Sequence, residues 1–382
     1  MTTAAHMEIM PETESDWINA LSDEACRLHD AAVEAFGGGR IDEAEELFRC
    51  SIGLFEQVEG PASPDVAAAL GNLGAVLEDK CDYPGAEECY ARAAAITEEI
   101  EEADFKDYED DEDVARLRLQ SLENLGRIYR IQGRYAQADQ VIRRALNFAV
   151  WTFGAESLEV SGALNNLGML GKFAGRFDEA EECYRRALAI LERRHGKDCA
   201  EAASIYHNMG GLEHARGRCA DGEAFARKSV ELHRRIHGDD HPELAADMAA
   251  LAALLDGQGK YDEAEMLYDR ALAIFERVYG PEHYEIAVNL NNLGMVHQAR
   301  GDYAKAEEML TRALAIKEKL FDADNVEIAL TLNNLAVLYK ARERCDEAAG
   351  LFGRAMAIFE RTLDDYHPHL VACRENLADL SA

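Results

Sequence analysis

A short phrase recurs along this chain at a fixed interval. Asn165-Asn166-Leu167-Gly168 returns as His207-Asn208-Met209-Gly210, Asn291-Asn292-Leu293-Gly294 and Asn333-Asn334-Leu335-Ala336. Weaker copies stand at Gly71-Asn72-Leu73-Gly74, Glu123-Asn124-Leu125-Gly126, Ala249-Ala250-Leu251-Ala252 and Glu375-Asn376-Leu377-Ala378. From 123 to 375 every step is 42 residues, and the step from 71 to 123 is 52. One period before position 71 lies a degenerate copy, His29-Asp30-Ala31-Ala32. Such a period demands a stacked array, in which each unit buries its apolar face against its neighbours.

Each unit has a second half, as in Gly175-Arg176-Phe177-Asp178-Glu179-Ala180 followed by Tyr184, Ala187 and Leu188. Apolar residues at helical spacing on both sides of a glycine turn predict two antiparallel amphipathic helices. Gly168 and Ala180 are expected where the helices cross, since larger side chains would push the axes apart. Gly60, Gly154, Gly196, Gly238 and Gly280 follow the second helix as C-terminal caps do. Pro64, Pro242 and Pro368 open the next helix, where a missing N–H costs nothing. An armadillo/HEAT array lacks this order of residues. A WD40 propeller would need alternating strands and a Trp-Asp signature.

The Leu-Gly, Gly-x-Tyr, Ala, Tyr, Ala-Leu order is the tetratricopeptide signature. The 42-residue period, the Asn-Asn-Leu-Gly/Ala helix and the linker Gly238-Asp239-Asp240-His241-Pro242-Glu243-Leu244-Ala245 resemble the kinesin light chain class of these proteins. The resemblance spans roughly residues 17 to 382. It implies an all-α fold, a right-handed α-solenoid of about eight to nine helix-turn-helix repeats with a C-terminal capping helix. Along the chain we expect a disordered tail over 1–15, then one solenoid over 16–382. That solenoid would start with an opening helix over 16–36, capped by Ser15. Eight helix pairs would follow, then a single helix near 368–380. The ten-residue insertion falls at about 101–111, within Glu98–Asp113, which holds eleven acidic residues and one lysine. It reads as a solvated loop or an acidic extension of the preceding helix. A functional alternative is competition with an acidic ligand for Arg127 and Arg130.

Composition narrows the function. Acidic side chains number 73 against 40 basic ones, a formal net charge of −33. Nucleic acid and anionic membranes need a net basic face, so neither is expected as a partner. Nine scattered cysteines without a CxxC pair suggest reduced thiols in a cytoplasmic setting. No catalytic signature such as GxSxG, HExxH, GxGxxG or GxxxxGK[ST] occurs, so no enzyme, cofactor or metal is expected. Gly37-Gly38-Gly39 is a turn, lacking the lysine and hydroxyl of a phosphate loop. His237 and His241 flank Asp239 and Asp240, but in a linker that other units repeat without histidine. We therefore read them, with His367 and His369, as linker residues and not as ligands.

In the solenoid so implied, the first helix of each pair lines a concave groove. The groove-facing positions lie one, two and five residues before the repeat Leu, and two and five after it. Immediately before the Leu stands Asn in seven of nine units, Asn72, Asn124, Asn166, Asn208, Asn292, Asn334 and Asn376. An asparagine offers donor and acceptor together and can bracket a peptide bond. The resemblance implies that use here; the alternative is that these residues set repeat geometry. Asn165, Asn291 and Asn333 stand one position earlier. Arg127, Arg130, Lys172, His207, His214 and Lys340 supply positive or titratable groups, against Glu123 and Asp256. Ala246, Ala249, Ala250 and Ala253 form a patch of small residues. These residues predict a module that binds an extended acidic, or mixed apolar-acidic, segment of a partner protein. An oligomerising scaffold, or a sensor of a signalling peptide, is the alternative.

Overall fold

A computed structural model describes residues 14–103, 112–196, 198–362 and 367–380. Among the described residues there are helices and no strands. The first eight are α1 (Glu14–Gly37), α2 (Ile41–Val58), α3 (Pro64–Asp79), α4 (Tyr83–Ala103), α5 (Glu112–Ile131), α6 (Tyr135–Phe153), α7 (Leu158–Phe173) and α8 (Phe177–Arg194). Next come α9 (Ala200–Ala215), α10 (Cys219–His237), α11 (Pro242–Asp256), α12 (Tyr261–Tyr279) and α13 (Tyr284–Ala299). The last are α14 (Tyr303–Leu320), α15 (Val326–Ala341), α16 (Cys345–Thr362) and α17 (Pro368–Leu380). The expected opening helix is not an extra element: α1 packs on α2 as the first member of the first pair. Among the described residues eight pairs and α17 result.

The chain divides into two compact units, Met1–Ile190 and Leu191–Ala382. Within each, helix packs on following helix as an α-solenoid. In the first unit α1 meets α3, α3 meets α5 and α5 meets α7 within 8 Å between Cα atoms. In the second, α9, α11, α13, α15 and α17 meet in the same way. Among the described residues no second helix of a pair comes that close to the next second helix. The side carrying the first helices is therefore the tighter, concave side of each unit.

Burial follows from this placement. A first helix is covered on two sides, by its own partner and by the neighbouring pairs. In α3, Val66, Ala67, Ala69, Leu70, Leu73, Gly74, Val76 and Leu77 are buried. Apart from Pro64, Asp65 and Asp79 at the helix ends, only a stripe through Ala68, Gly71, Asn72, Ala75 and Glu78 stays half-exposed. The second helices instead carry one apolar face, and long ion pairs join them across repeats. Arg227 Nη2 meets Glu263 Oε1 at 2.7 Å and Arg354 Nη2 meets Glu318 Oε1 at 2.8 Å. Exposed pairs of this kind contribute about 0–1 kcal/mol each.

Local signals behave as their chemistry requires. Gly60, Gly154, Gly196, Gly238 and Gly280 have φ between 78° and 93°, the left-handed region that side chains resist. The hydroxyls of Ser63 and Ser157 accept from the amides of Val66 and Val160, capping α3 and α7. A Cβ on Gly168 would stand 2.6 Å from Tyr184 Cε1, so this glycine makes room for a buried tyrosine ring. Ala180 faces Gly171 instead, 3.1 Å from a Cβ built there. The insertion lengthens both neighbours: α4 has 21 residues against 18 in α2 and 19 in α6, and α5 has 20 against 16 in α3 and α7. Residues 104–111, and 1–13 of the tail expected over 1–15, lie outside the described residues; Ser15 does not cap the first helix but lies inside α1, which begins at Glu14. Glu98 pairs with Arg118 and Arg144, and Glu112 with Arg116. Among the described residues no helix is long and apolar enough to cross a membrane.

Candidate functional site

The predicted groove positions coincide with the half-exposed stripe of the first helices. In the first unit Asn72 Nδ2 donates to His29 Nε2 at 3.2 Å, tying α3 to α1. Arg127 crosses from α5 to form an ion pair with Glu78 on α3, and its Nη2 donates to Asn124 Oδ1 at 3.0 Å. Asn166 on α7 hydrogen-bonds Glu123 on α5. Asn165 Nδ2 lies 4.0 Å from Met169 Sδ.

Arg130 and Lys172 differ from Arg127. Both are half-buried, and among the described residues neither is ion-paired to a carboxylate. The Arg130 guanidinium lies 5.0 Å from the centre of the Phe173 ring, and Lys172 Nζ lies 4.8 Å from it. Burial lowers the pKa of Lys172, and Arg130 beside it adds to the effect. Arg130 is lowered by burial and then by Arg127. Close by, the buried Tyr184 hydroxyl has no hydrogen-bond partner. Two crowded cations make a place where an added anion would be stabilised. Glu123 is the opposite case. Burial pushes its carboxyl up to about 7, opposed by the hydrogen bond from Asn166 and reinforced by Glu159.

In the second unit Asn334 Nδ2 donates to Asn291 Oδ1 at 3.0 Å, and Asn291 Nδ2 reaches Asn292 Oδ1 at 3.4 Å. Asn292 also meets the buried hydroxyl of Tyr268. Asn333 Oδ1 is buried without a partner. Lys340 Nζ donates to Asn376 Oδ1 at 3.2 Å and to Asp379 Oδ2 at 3.3 Å. His214 is exposed on α9, near enough to Asp256 to oppose the rise that burial causes in its carboxyl pKa. Asn208 stands half-exposed beside His207 on α9. Ala250 is half-exposed with Ala246, Ala249 and Ala253, and the last three pack on the core. Asn72, Asn124, Asn166, Asn291, Asn292, Asn334 and Asn376 thus bond neighbouring side chains, several across helices, and each keeps part of its surface in solvent.

Sequence reasoning missed Asp247. It is 2 % exposed and accepts from Ser229 Oγ at 2.5 Å, His233 Nδ1 at 2.7 Å and His207 Nδ1 at 2.8 Å. Burial opposes its ionisation, and these three donors overcome that, so its pKa is lowered. For His233 burial likewise opposes the charge, and Asp247, Glu243 and the Ala200 carbonyl outweigh it, so its pKa is raised. The signal was present: Asp247 is the one charged residue between Leu244 and Leu255. His241 and His367, read as linker residues, have a defined task. Their Nδ1 atoms accept from the amides of Glu243 and His369, each at 3.3 Å, and cap α11 and α17.

Comparison with known proteins identifies the repeat. The tetratricopeptide repeat family matches residues 31–99, 117–199, 201–268, 250–319 and 327–381. No curated protein matches the sequence. Among solved structures, BtubC (BKLC) from P. vanneervenii is 26% identical, covering 63% of this chain and 93% of its own, with a TM-score of 0.48. A kinesin light chain-like repeat protein of Podosopora anserina is 22% identical, covering 54% of this chain and 98% of its own, with a TM-score of 0.46. A Rap protein complexed with Competence and Sporulation Factor is 14% identical, covering 94% and 98%, with a TM-score of 0.54.

Proposed function

Because the chain belongs to the tetratricopeptide repeat family, whose members are protein-interaction modules, we propose that it is a non-enzymatic adaptor that binds an acidic peptide segment. The segment would lie extended along the half-exposed stripe of α3, α5 and α7. The observation that carries this reading is the pair Arg130 and Lys172, uncompensated cations in a chain of net charge −33. An acidic side chain there would meet two cationic donors in a partly desolvated place, where charge-assisted bonds are strong. Asn72, Asn124, Asn165 and Asn166 would exchange part of their present bonding for the peptide backbone. The acidic remainder of the surface would repel other acidic chains and confine them to this patch. Taken by itself, the second unit would offer a like stripe through His207, Asn208, His214, Asn291, Asn292, Asn333, Asn334 and Lys340, with Ala250 taking a small apolar side chain. A reduced, cytoplasmic setting fits nine free thiols.

Fluorescence anisotropy with labelled twelve-residue peptides tests this. A peptide rich in Asp, Glu and apolar residues should bind, with affinity falling as salt rises from about 50 to 300 mM. A Lys-rich peptide of equal length should not. Equal binding of both, or a salt-independent affinity, overturns the assignment.

A further inference from the structure

The peptide reading leaves unused a cluster of titratable groups at the junction of α10 and α11. His233 and His237 lie one turn apart near the end of α10, so their imidazoles share a helix face. Glu243 stands in the first turn of α11. His237 Nε2 is 3.1 Å from Glu243 Oε2, and His233 Nε2 is 3.6 Å from the same oxygen. The three ligand atoms all lie within 4.8 Å of one another. Tetrahedral zinc, bonded at about 2.0–2.2 Å, separates its ligands by about 3.4 Å. The two separations bracket that figure.

The buried histidine is set up for coordination. His233 is 3 % exposed; its Nε2 makes no direct side-chain hydrogen bond and faces Glu243 Oε2 at 3.6 Å, with the Ala200 carbonyl also beside the ring. Its Nδ1 donates to Asp247, itself held by Ser229 and His207. A carboxylate on one ring nitrogen fixes the tautomer that leaves the other nitrogen's lone pair for a metal. His241 takes no part through Nδ1, which caps α11, and its ring stacks on His237 with centroids 4.3 Å apart.

An internal comparison shows what the slot accepts. Two repeats further on, Lys317 stands where His233 does and Glu327 where Glu243 does. The buried Lys317 Nζ donates to Glu327 Oε2 at 2.7 Å and to the Glu327 carbonyl at 3.3 Å. An ammonium therefore fills the slot between α14 and α15. Between α10 and α11 the shorter imidazole stops 3.6 Å short of the carboxylate, and His237 adds a second nitrogen facing the same oxygen.

We propose that His233 Nε2, His237 Nε2 and Glu243 Oε2 bind one Zn²⁺ ion, with the fourth position open to water. The ion ties the last turn of α10 to the first turn of α11, as Lys317 joins α14 to α15. Two imidazoles and one carboxylate suit zinc, whereas Mg²⁺ and Ca²⁺ favour oxygen ligands. Among the described residues the other grouping of this type, His195, Cys199 and Glu201, has no buried member.

Isothermal titration of the EDTA-stripped full chain with ZnCl₂ tests the site. One ion should bind per chain, with a Kd of about 10 μM or below. His237→Ala with Glu243→Gln should weaken uptake at least about 100-fold, more than loss of an outer-shell partner does. Both residues are exposed, and circular dichroism checks that the variant keeps its helices. His195→Ala with Cys199→Ser should leave uptake unchanged, and MgCl₂ should give no saturable heat. Absence of saturable zinc uptake below about 100 μM overturns the proposal. So does uptake that survives the first variant or is lost in the second.

Discussion

Replacing Glu123 by glutamine should stabilise the first unit, and by an amount that depends on pH. Glu123 sits between α5 and α7, with Oε1 buried and unpartnered and Glu159 adding like charge. Its carboxyl is raised from 4.5 to about 7 in the folded chain. A raised carboxyl means that the folded state binds the proton more tightly than the unfolded state. Stability therefore falls as pH climbs from 4.5 towards 7 and levels off above that. At about 1.4 kcal/mol per pH unit, the ionised side chain costs about 3 kcal/mol at pH 8. Glutamine mimics the protonated acid and removes that cost. Both tryptophans, Trp17 and Trp151, lie in the first unit, so urea unfolding followed by their fluorescence reports on this region. Glu123→Gln should match the wild type at pH 4.5 and exceed it by about 2–3 kcal/mol at pH 8. A difference that does not change between these pH values would refute the reasoning.

Gly168→Ala should cost about 1–3 kcal/mol, because its Cβ would stand 2.6 Å from Tyr184 Cε1, whereas Gly53→Ala in α2 meets nothing within 4 Å. The latter should gain about 0.5–1 kcal/mol, and thermal unfolding distinguishes the two. Asp247→Asn should cost about 3 kcal/mol near pH 6, since it strips the buried His233 of its counter-charge. His233 has a raised pKa, so that ion pair contributes fully below 6.5 and fades as pH rises through the higher folded value. The penalty measured in urea should accordingly shrink by pH 9.

Repeat phase carried most of the fold, because the devices it locates are local. A glycine with positive φ, a capping side chain and a small residue beneath a tyrosine act within a few residues of themselves. The N-caps obey the same phase: Ser63, Ser157, His241, His283, Asn325 and His367 each lie ten residues before the repeat Leu or its match. That is why His241 was legible as part of a linker while its capping bond was not; histidine is an unusual cap, and only geometry shows Nδ1 accepting. The phase also marked the stripe of half-exposed residues. It did not reveal which of them are already engaged. Arg127 finds Glu78 across 49 residues because the insertion stretches the spacing, and His207 finds Asp247 across 40. Those pairings depend on how successive helices are rotated, which side-chain chemistry decides case by case. They narrow the basic surface of the first unit from three cations to Arg130 and Lys172.

The most direct measurement compares the affinity of one acidic peptide for the wild-type chain and for the Arg130→Glu/Lys172→Glu variant. An Arg185→Glu variant on the outer helix α8 serves as the control. Two charge-assisted hydrogen bonds at about 1.5–3 kcal/mol each predict a loss of at least 100-fold in the double variant and a flattened salt dependence. The control should bind within about twofold of wild type. Wild-type affinity in the double variant, with its helical content intact, would contradict the account.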